Sequence, residues 1–192
     1  MARASKRDDV LDKADELFEK NGFVATGVNQ ITQEAGVASM TLYNNFNSKE
    51  ALIVAALERR SGRFFDQLEK HMAAAGPSPR EKILSVFDAL DAWIVSSTKK
   101  RKGFSGCTFV KASIEFSAPS HPAHTVAAAH KRRIVALFEG AARDMKHKSP
   151  QNLALQLHIL VDGAITQAQV LGDAGSAMRA RGIAELLLDT AP

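Results

Sequence analysis

Cysteine is almost missing from this chain, and the single thiol, Cys107, excludes an intramolecular disulfide and any zinc finger built on cysteine. No apolar run is long enough to span a bilayer, and no charged-then-apolar leader precedes the first helix, so a soluble, cytoplasmic protein is expected. Strand-formers in alternation are scarce, and six prolines mark breaks between segments rich in alanine and leucine. That balance predicts an all-α fold. Nothing forms a nucleophile elbow, a P-loop or a dinucleotide fingerprint. Cys107 lies in an apolar segment with no base beside it, which reads as an inert buried thiol. No enzyme activity, cofactor or metal is expected. At 192 residues there is room for one small module and one larger domain.

The formal charge of +4 is not spread evenly. Residues 1–60 hold eight bases against nine acids, a net of −1. The excess lies later, in Lys99–Lys102, in Lys131–Arg133 and around Arg143 to Lys148. Any nucleic-acid reading must therefore rest on locally placed groups rather than on total charge. The run Lys99–Lys102 reads as an exposed loop between helices.

The most informative stretch is residues 26–52. Val28, Ile31 and Ala35 fall on one face of a helix of about two turns. Gly36 follows where a helix end needs positive φ. A second short helix, Ser39 to Asn45, carries Leu42 and Phe46 inward and Ser39, Met40, Thr41, Tyr43 and Asn44 outward. Two helices across a tight glycine turn make a helix-turn-helix, whose second helix enters the DNA major groove. That helix has no Arg or Lys, so bidentate reading of guanine from it is excluded. Asn44 suits adenine or a phosphate, and Met40 and the Thr41 methyl suit thymine methyls. Thr26 is expected to cap the first of these helices and to meet a phosphate, with Gly27 letting the backbone approach closely. Asn47 and Glu50 form a capping-box pattern for the next helix, and Lys49 at its exposed amides is a ready phosphate site. Arg3, Lys6 and Arg7 form a short basic arm, and Ser5 is a cap for a first helix over Lys6–Asn21. The acids Asp12, Asp15, Glu16 and Glu19 of that helix read as a solvated face.

Gly22, Phe23, Thr26, Val28, Ile31, Ala35, Gly36, Val37, Thr41, Leu42, Tyr43, Phe46, Ser48, Lys49, Glu50 and Leu52 stand at fixed spacing. This pattern resembles the DNA-binding signature of the TetR family of bacterial transcriptional regulators, over about the first third of the chain. The resemblance implies that Tyr43 holds the DNA backbone through its hydroxyl. It also implies a homodimer on a palindromic double-stranded operator and a small-molecule effector. Three positions depart from the family pattern. Gly27 replaces a Ser or Thr, Thr32 an Ala, and Ala38 the Ser that caps the reading helix.

The expected architecture is an N-terminal three-helix DNA-binding domain, residues 1–52, and a larger helical ligand-binding and dimerisation domain, residues 53–192. A helix over 48–70 connects them. Residues 106–116 form a short helix, apolar nearly all round, that belongs inside the larger domain. Ser149 and Pro150 start a helix running to Leu171, and another follows over 177–189. These last two carry wide apolar stripes, with Gly163, Ala164 and Ala168 allowing close approach, and are expected to build a two-fold four-helix interface. A mostly apolar effector cavity is expected, with Trp93, Phe109, Phe116, His130, His158 and Asp162 as candidate lining residues. His121 with His124, and His158 with Asp162, match no metal signature. They read as a surface turn and as a hydrogen-bonded histidine–acid pair. The reading is a repressor released from its operator by an effector. The rivals are an effector-independent DNA-binding protein or activator of the same fold, and a metal-dependent sensor using His121, His124, His158 or Asp162.

Overall fold

A computed structural model describes residues 6–101 and 103–189. Arg3, Ser5 and Lys102 lie outside the described residues. Among the described residues regular structure is entirely helical: α1 (Lys6–Asn21), α2 (Val28–Glu34), α3 (Ser39–Asn45), α4 (Lys49–Ala74), α5 (Pro79–Arg101), α6 (Thr108–Glu115), α7 (Pro122–Asp144), α8 (Pro150–Leu171) and α9 (Ser176–Asp189). No helix among these is long and apolar enough to cross a membrane.

Packing divides the chain into two units, residues 1–62 with 108–130, and residues 63–107 with 131–192. This differs from a division at residue 52, because α6 and the first part of α7 join the N-terminal unit. Two helices, α4 and α7, contribute to both units.

In the first unit α1, α2 and α3 pack pairwise. The apolar face of α1 is Val10, Leu11, Ala14, Leu17 and Phe18, all buried, with acids in its first turn and Lys20 in its last to suit the helix dipole. Phe18 meets Phe23 at 5.1 Å between ring centroids, and Phe23 meets Phe116 at 5.9 Å. The acids of α1 are not all solvated. Arg59 of α4 pairs with Asp12 and Asp15 at 2.9 and 3.1 Å, and Arg60 with Glu19 at 2.9 Å. Arg60 also donates to the Thr108 hydroxyl at 2.8 Å. The start of α4 is capped by Ser48, whose Oγ accepts from the Ala51 N–H at 3.0 Å, so the expected Asn47 cap moves by one residue. Helix α6 is not apolar all round in its setting. Phe109 and Ala112 are buried, but Val110 is exposed and Ile114 is 70% exposed.

In the second unit α9 packs against both α5 and α8. Ala164 and Ala168 are buried, and the Ser176 hydroxyl donates to the Ala164 carbonyl at 2.9 Å. These two alanines therefore serve packing within the subunit. Arg181 to Asp88 at 2.9 Å and Arg80 to Asp189 at 2.7 Å tie α9 to α5 at the surface. Phe87 and Phe138 stack at 6.2 Å. The basic run near residue 100 is not a loop, since α5 continues through Arg101. Ser149 precedes α8 without a side-chain capping bond, and Pro150 opens the helix.

Candidate nucleic-acid interface

Ile31 of α2 and Leu42 of α3 are fully buried and fix the two helices of the motif on α1. The turn between them is closed by the Gly36 N–H to the Gln33 carbonyl at 3.2 Å and the Val37 N–H to the Thr32 carbonyl at 3.0 Å. Gly36 has φ of 64°, a left-handed conformation that costs an ordinary L residue about 1–2 kcal/mol. Thr32 is buried because its hydroxyl finds the Asn29 carbonyl at 3.1 Å, which makes threonine tolerable in that interior position.

Helix α3 begins at Ser39 after Ala38, which supplies no side-chain cap. The absence of such a cap costs a helix about 1 kcal/mol. Its outward face carries Ser39, Met40 at 68% exposure, Tyr43 at 46% and Asn44. Thr41 is half-buried beside them. Asn45 is already occupied, its side-chain amide donating to the Thr41 carbonyl at 2.7 Å. That leaves Asn44 as the α3 amide turned to solvent. Gly27 is the N-cap of α2, with extended φ and ψ of −83° and 150° and open space around it.

Thr26 departs from expectation. It is 0% exposed, and its hydroxyl donates to the Gly22 carbonyl at 2.6 Å and faces the Leu17 carbonyl at 3.3 Å. It neither caps α2 nor presents its side chain to a phosphate. The turn at Gly22 swings residue 26 inward, where a hydroxyl must find a protein acceptor.

Cations frame the motif from its margins. Lys49, half-buried at the start of α4, donates to the Val24 carbonyl at 3.0 Å. Arg7 lies over the Phe46 ring at 5.0 Å, beside the end of α3. Between Val28 and Ser48 the only charged side chain is Glu34.

The six residues proposed for a cavity fall into both units. Phe109, Phe116 and His130 belong to the first. His130 is buried, stacks on Phe109 at 3.6 Å and 11°, and shares a hydrogen bond of 2.9 Å with Ser61. The Phe116 ring lies over His121 at 4.4 Å, and its carbonyl accepts from His124 at 3.0 Å. Trp93, His158 and Asp162 belong to the second unit. Trp93 meets Phe104 edge-on at 4.7 Å. Asp162 lies 3.7 Å from His158 and accepts from Lys131 at 2.5 Å. Burial pushes the His158 imidazole below its ordinary value; Asp162 opposes this and Lys131 adds to it. Sequence reasoning missed Lys131, whose only signal along the chain is membership of a basic run. Among the described residues no cluster of three or more His, Cys, Asp or Glu is placed to hold a metal.

Residues 10–56 match the model of the bacterial regulatory proteins of the tetR family. The chain is 30% identical to a protein of Streptomyces avermitilis described as a TetR transcriptional regulator, with a TM-score of 0.75, covering 95% of this chain and 99% of that one. It is similar to the HTH-type transcriptional repressor NemR of Escherichia coli, 26% identical over 85% of this chain and 84% of NemR. A TetR-family regulator of Streptomyces coelicolor is 26% identical, with a TM-score of 0.81 over 96% of this chain and 94% of that one.

Proposed function

The chain belongs to the TetR family of bacterial regulatory proteins and is a DNA-binding transcriptional regulator, and from that premise we propose that it is a homodimeric repressor released from a palindromic operator by a small-molecule effector. The observation that carries the reading is the outward face of α3. Met40, Tyr43 and Asn44 stand exposed on a helix whose inner side, Leu42, is locked against the motif. Ser39 and Thr41 complete the reading face, Gly27 admits the DNA backbone, and Lys49 meets a phosphate. The name of NemR supports repression as the sign of regulation.

One seven-residue helix reads few bases, so a second copy about one DNA turn away is needed for specificity. Seven of the twelve exposed large apolar side chains among the described residues lie on α8 and α9, which supports these two helices as the dimer face. Leu155, Ile159 and Val170 form its stripe along α8, with Met178, Ile183 and Leu186 on α9. The effector binds in the helical region beyond the motif, at Phe109 with His130 or at His158 with Asp162. It favours a conformation in which the two reading helices no longer fit adjacent turns of DNA. Catalysis is no part of this reading, and the site of action is the cytoplasm.

The test is selection of bound sequences from a random DNA pool at fixed salt, with wild type and Tyr43→Ala in parallel. A palindromic site that the variant loses supports the reading. No enriched sequence, or one bound equally by Tyr43→Ala, overturns the role given to α3. An effector that binds free and operator-bound protein equally tightly overturns the release mechanism.

A further inference from the structure

The loop joining α1 to α2 is held by a side chain from more than ninety residues further along the chain. Glu115, the last residue of α6, takes the Phe23 N–H on Oε1 at 3.1 Å and the Val24 N–H on Oε2 at 2.7 Å. The fit is close. A β-carbon on Gly22 would stand 2.8 Å from Glu115 Oε1, and Gly22 has φ of 86°. One turn earlier on α6, Lys111 donates to the Glu19 carbonyl at 3.3 Å, so the same helix grips the end of α1. Residue Val24 is held from its other side as well. Its carbonyl accepts from Lys49 at 3.0 Å. The next residue of α4, Glu50, meets His121 Nε2 at 3.2 Å.

A lysine side chain has four rotatable bonds, and fixing it on a phosphate normally costs much of that freedom. Here one of the three ammonium donors is spent on Val24, which holds the chain in place and leaves two donors for an incoming anion. Val24 can anchor it only while the backbone leading into it is held in place. The carboxylate holds the Phe23 and Val24 N–H groups, in the two peptide planes that lead into Val24, and so fixes the position from which the Val24 carbonyl, in the next plane, is presented.

We propose that Glu115 is a positioning residue for DNA binding, acting through Val24 to hold the Lys49 ammonium where it meets an operator phosphate. This rests on the reading of Lys49 as a phosphate-binding group. Glutamine at 115 has one acceptor oxygen and presents an amide donor to the second N–H, so it opens the clasp without removing bulk.

The experiment measures operator affinity against salt for full-length wild type, Lys49→Ala, Glu115→Gln and the double variant, using the DNA site obtained by selection. Lys49→Ala should reduce the slope of log affinity against log salt by about 0.9 for each phosphate no longer neutralised, one per subunit. Glu115→Gln should weaken binding by about five- to twentyfold and lower the slope in the same direction. In the Lys49→Ala background the same change should have little further effect on affinity. If Glu115→Gln weakens binding equally in both backgrounds, or leaves the slope intact, Glu115 supports folding only and the proposal is overturned while the Lys49 reading stands. If Lys49→Ala leaves both affinity and slope unchanged, the role given to Lys49 is itself wrong and the proposal falls with it. Should Glu115→Gln fail to fold, Glu115→Asp replaces it in the cycle. Aspartate keeps the charge but falls short of the loop, and the same outcomes decide.

Discussion

Replacing Thr26 by valine keeps the branched shape of the side chain and removes one hydroxyl. In the wild type that hydroxyl is fully buried and donates to the Gly22 carbonyl at 2.6 Å, with the Leu17 carbonyl at 3.3 Å as a weaker second acceptor. Losing a net hydrogen bond costs about 1 kcal/mol, and a carbonyl left without that donor in a part-buried setting raises the range to about 1–3 kcal/mol. The added methyl returns a fraction, on the order of 0.8 kcal/mol for one buried carbon. The expected net loss is about 1–2 kcal/mol, which at a urea slope of about 2 kcal/mol per molar moves the midpoint down by roughly 0.5–1 M. The assay is urea unfolding followed by far-ultraviolet circular dichroism, at one protein concentration so that any contribution from association is held fixed. Operator binding of the folded variant should keep its salt slope, since every phosphate keeps its partner. An unchanged midpoint together with weaker, less salt-sensitive DNA binding would put the hydroxyl on the DNA and refute the reasoning.

Three further perturbations test other parts of the structure. Because burial depresses the folded His158 value, both states are neutral above the ordinary 6.5 and stability is full there. As pH falls below 6.5 the unfolded chain takes the proton first and stability drops. His158→Gln should therefore flatten the urea midpoint between pH 7.5 and 5 relative to wild type, and parallel profiles would rule the effect out. Gly36→Ala meets no atom within 4 Å, so its cost should be that of the left-handed backbone alone, about 1–2 kcal/mol by denaturation. A neutral result would mean that the turn has another conformation. Ile159→Glu puts a charge at a site that is 68% exposed in the subunit. Sedimentation should shift towards monomer, and unchanged sedimentation would remove α8 from the dimer face.

What the sequence disclosed and what it hid follow from the range of the interactions. The limits of α1 and α3 were readable because each is bracketed by local signals: Lys20, Asn21 and Gly22 at the end of α1, and Ala38 then Ser39 at the start of α3. Gly36 was readable for the same reason, since a turn of that shape needs a residue free to adopt positive φ. Thr26 misled because a capping reading counts neighbours along the chain, whereas the side chain follows the reversal at Gly22. The acids of α1 looked solvated because their partners, Arg59 and Arg60, lie more than forty residues away. Helix α6 looked apolar all round because composition ignores what covers it. Glu115 ends that helix beside the α1–α2 loop, leaving Ile114 outside. The six cavity candidates were grouped by chemistry alone, and chemistry carries no information on which compact unit a residue joins.

The charge pattern of the first unit joins these observations. From Val28 to Ser48 the motif carries one acid and no cation, so it cannot attract DNA by its own charge. The arginines nearest in α4 are committed to the acids of α1, and are subtracted from the surface by that pairing. On the proposed reading, electrostatic affinity falls to the margins, Arg7 over Phe46 and Lys49 on Val24, while the neutral groups Ser39, Met40 and Asn44 discriminate between bases. In such a division the reading helix is secured by its own core, Ile31 and Leu42, but the Lys49 ammonium is secured by what holds the loop beneath it. Lys49 has Val24, and Val24 has Glu115. On that proposal a carboxylate distant in sequence bears on operator affinity without reaching the DNA, and loosening it should weaken binding before it changes which bases are preferred.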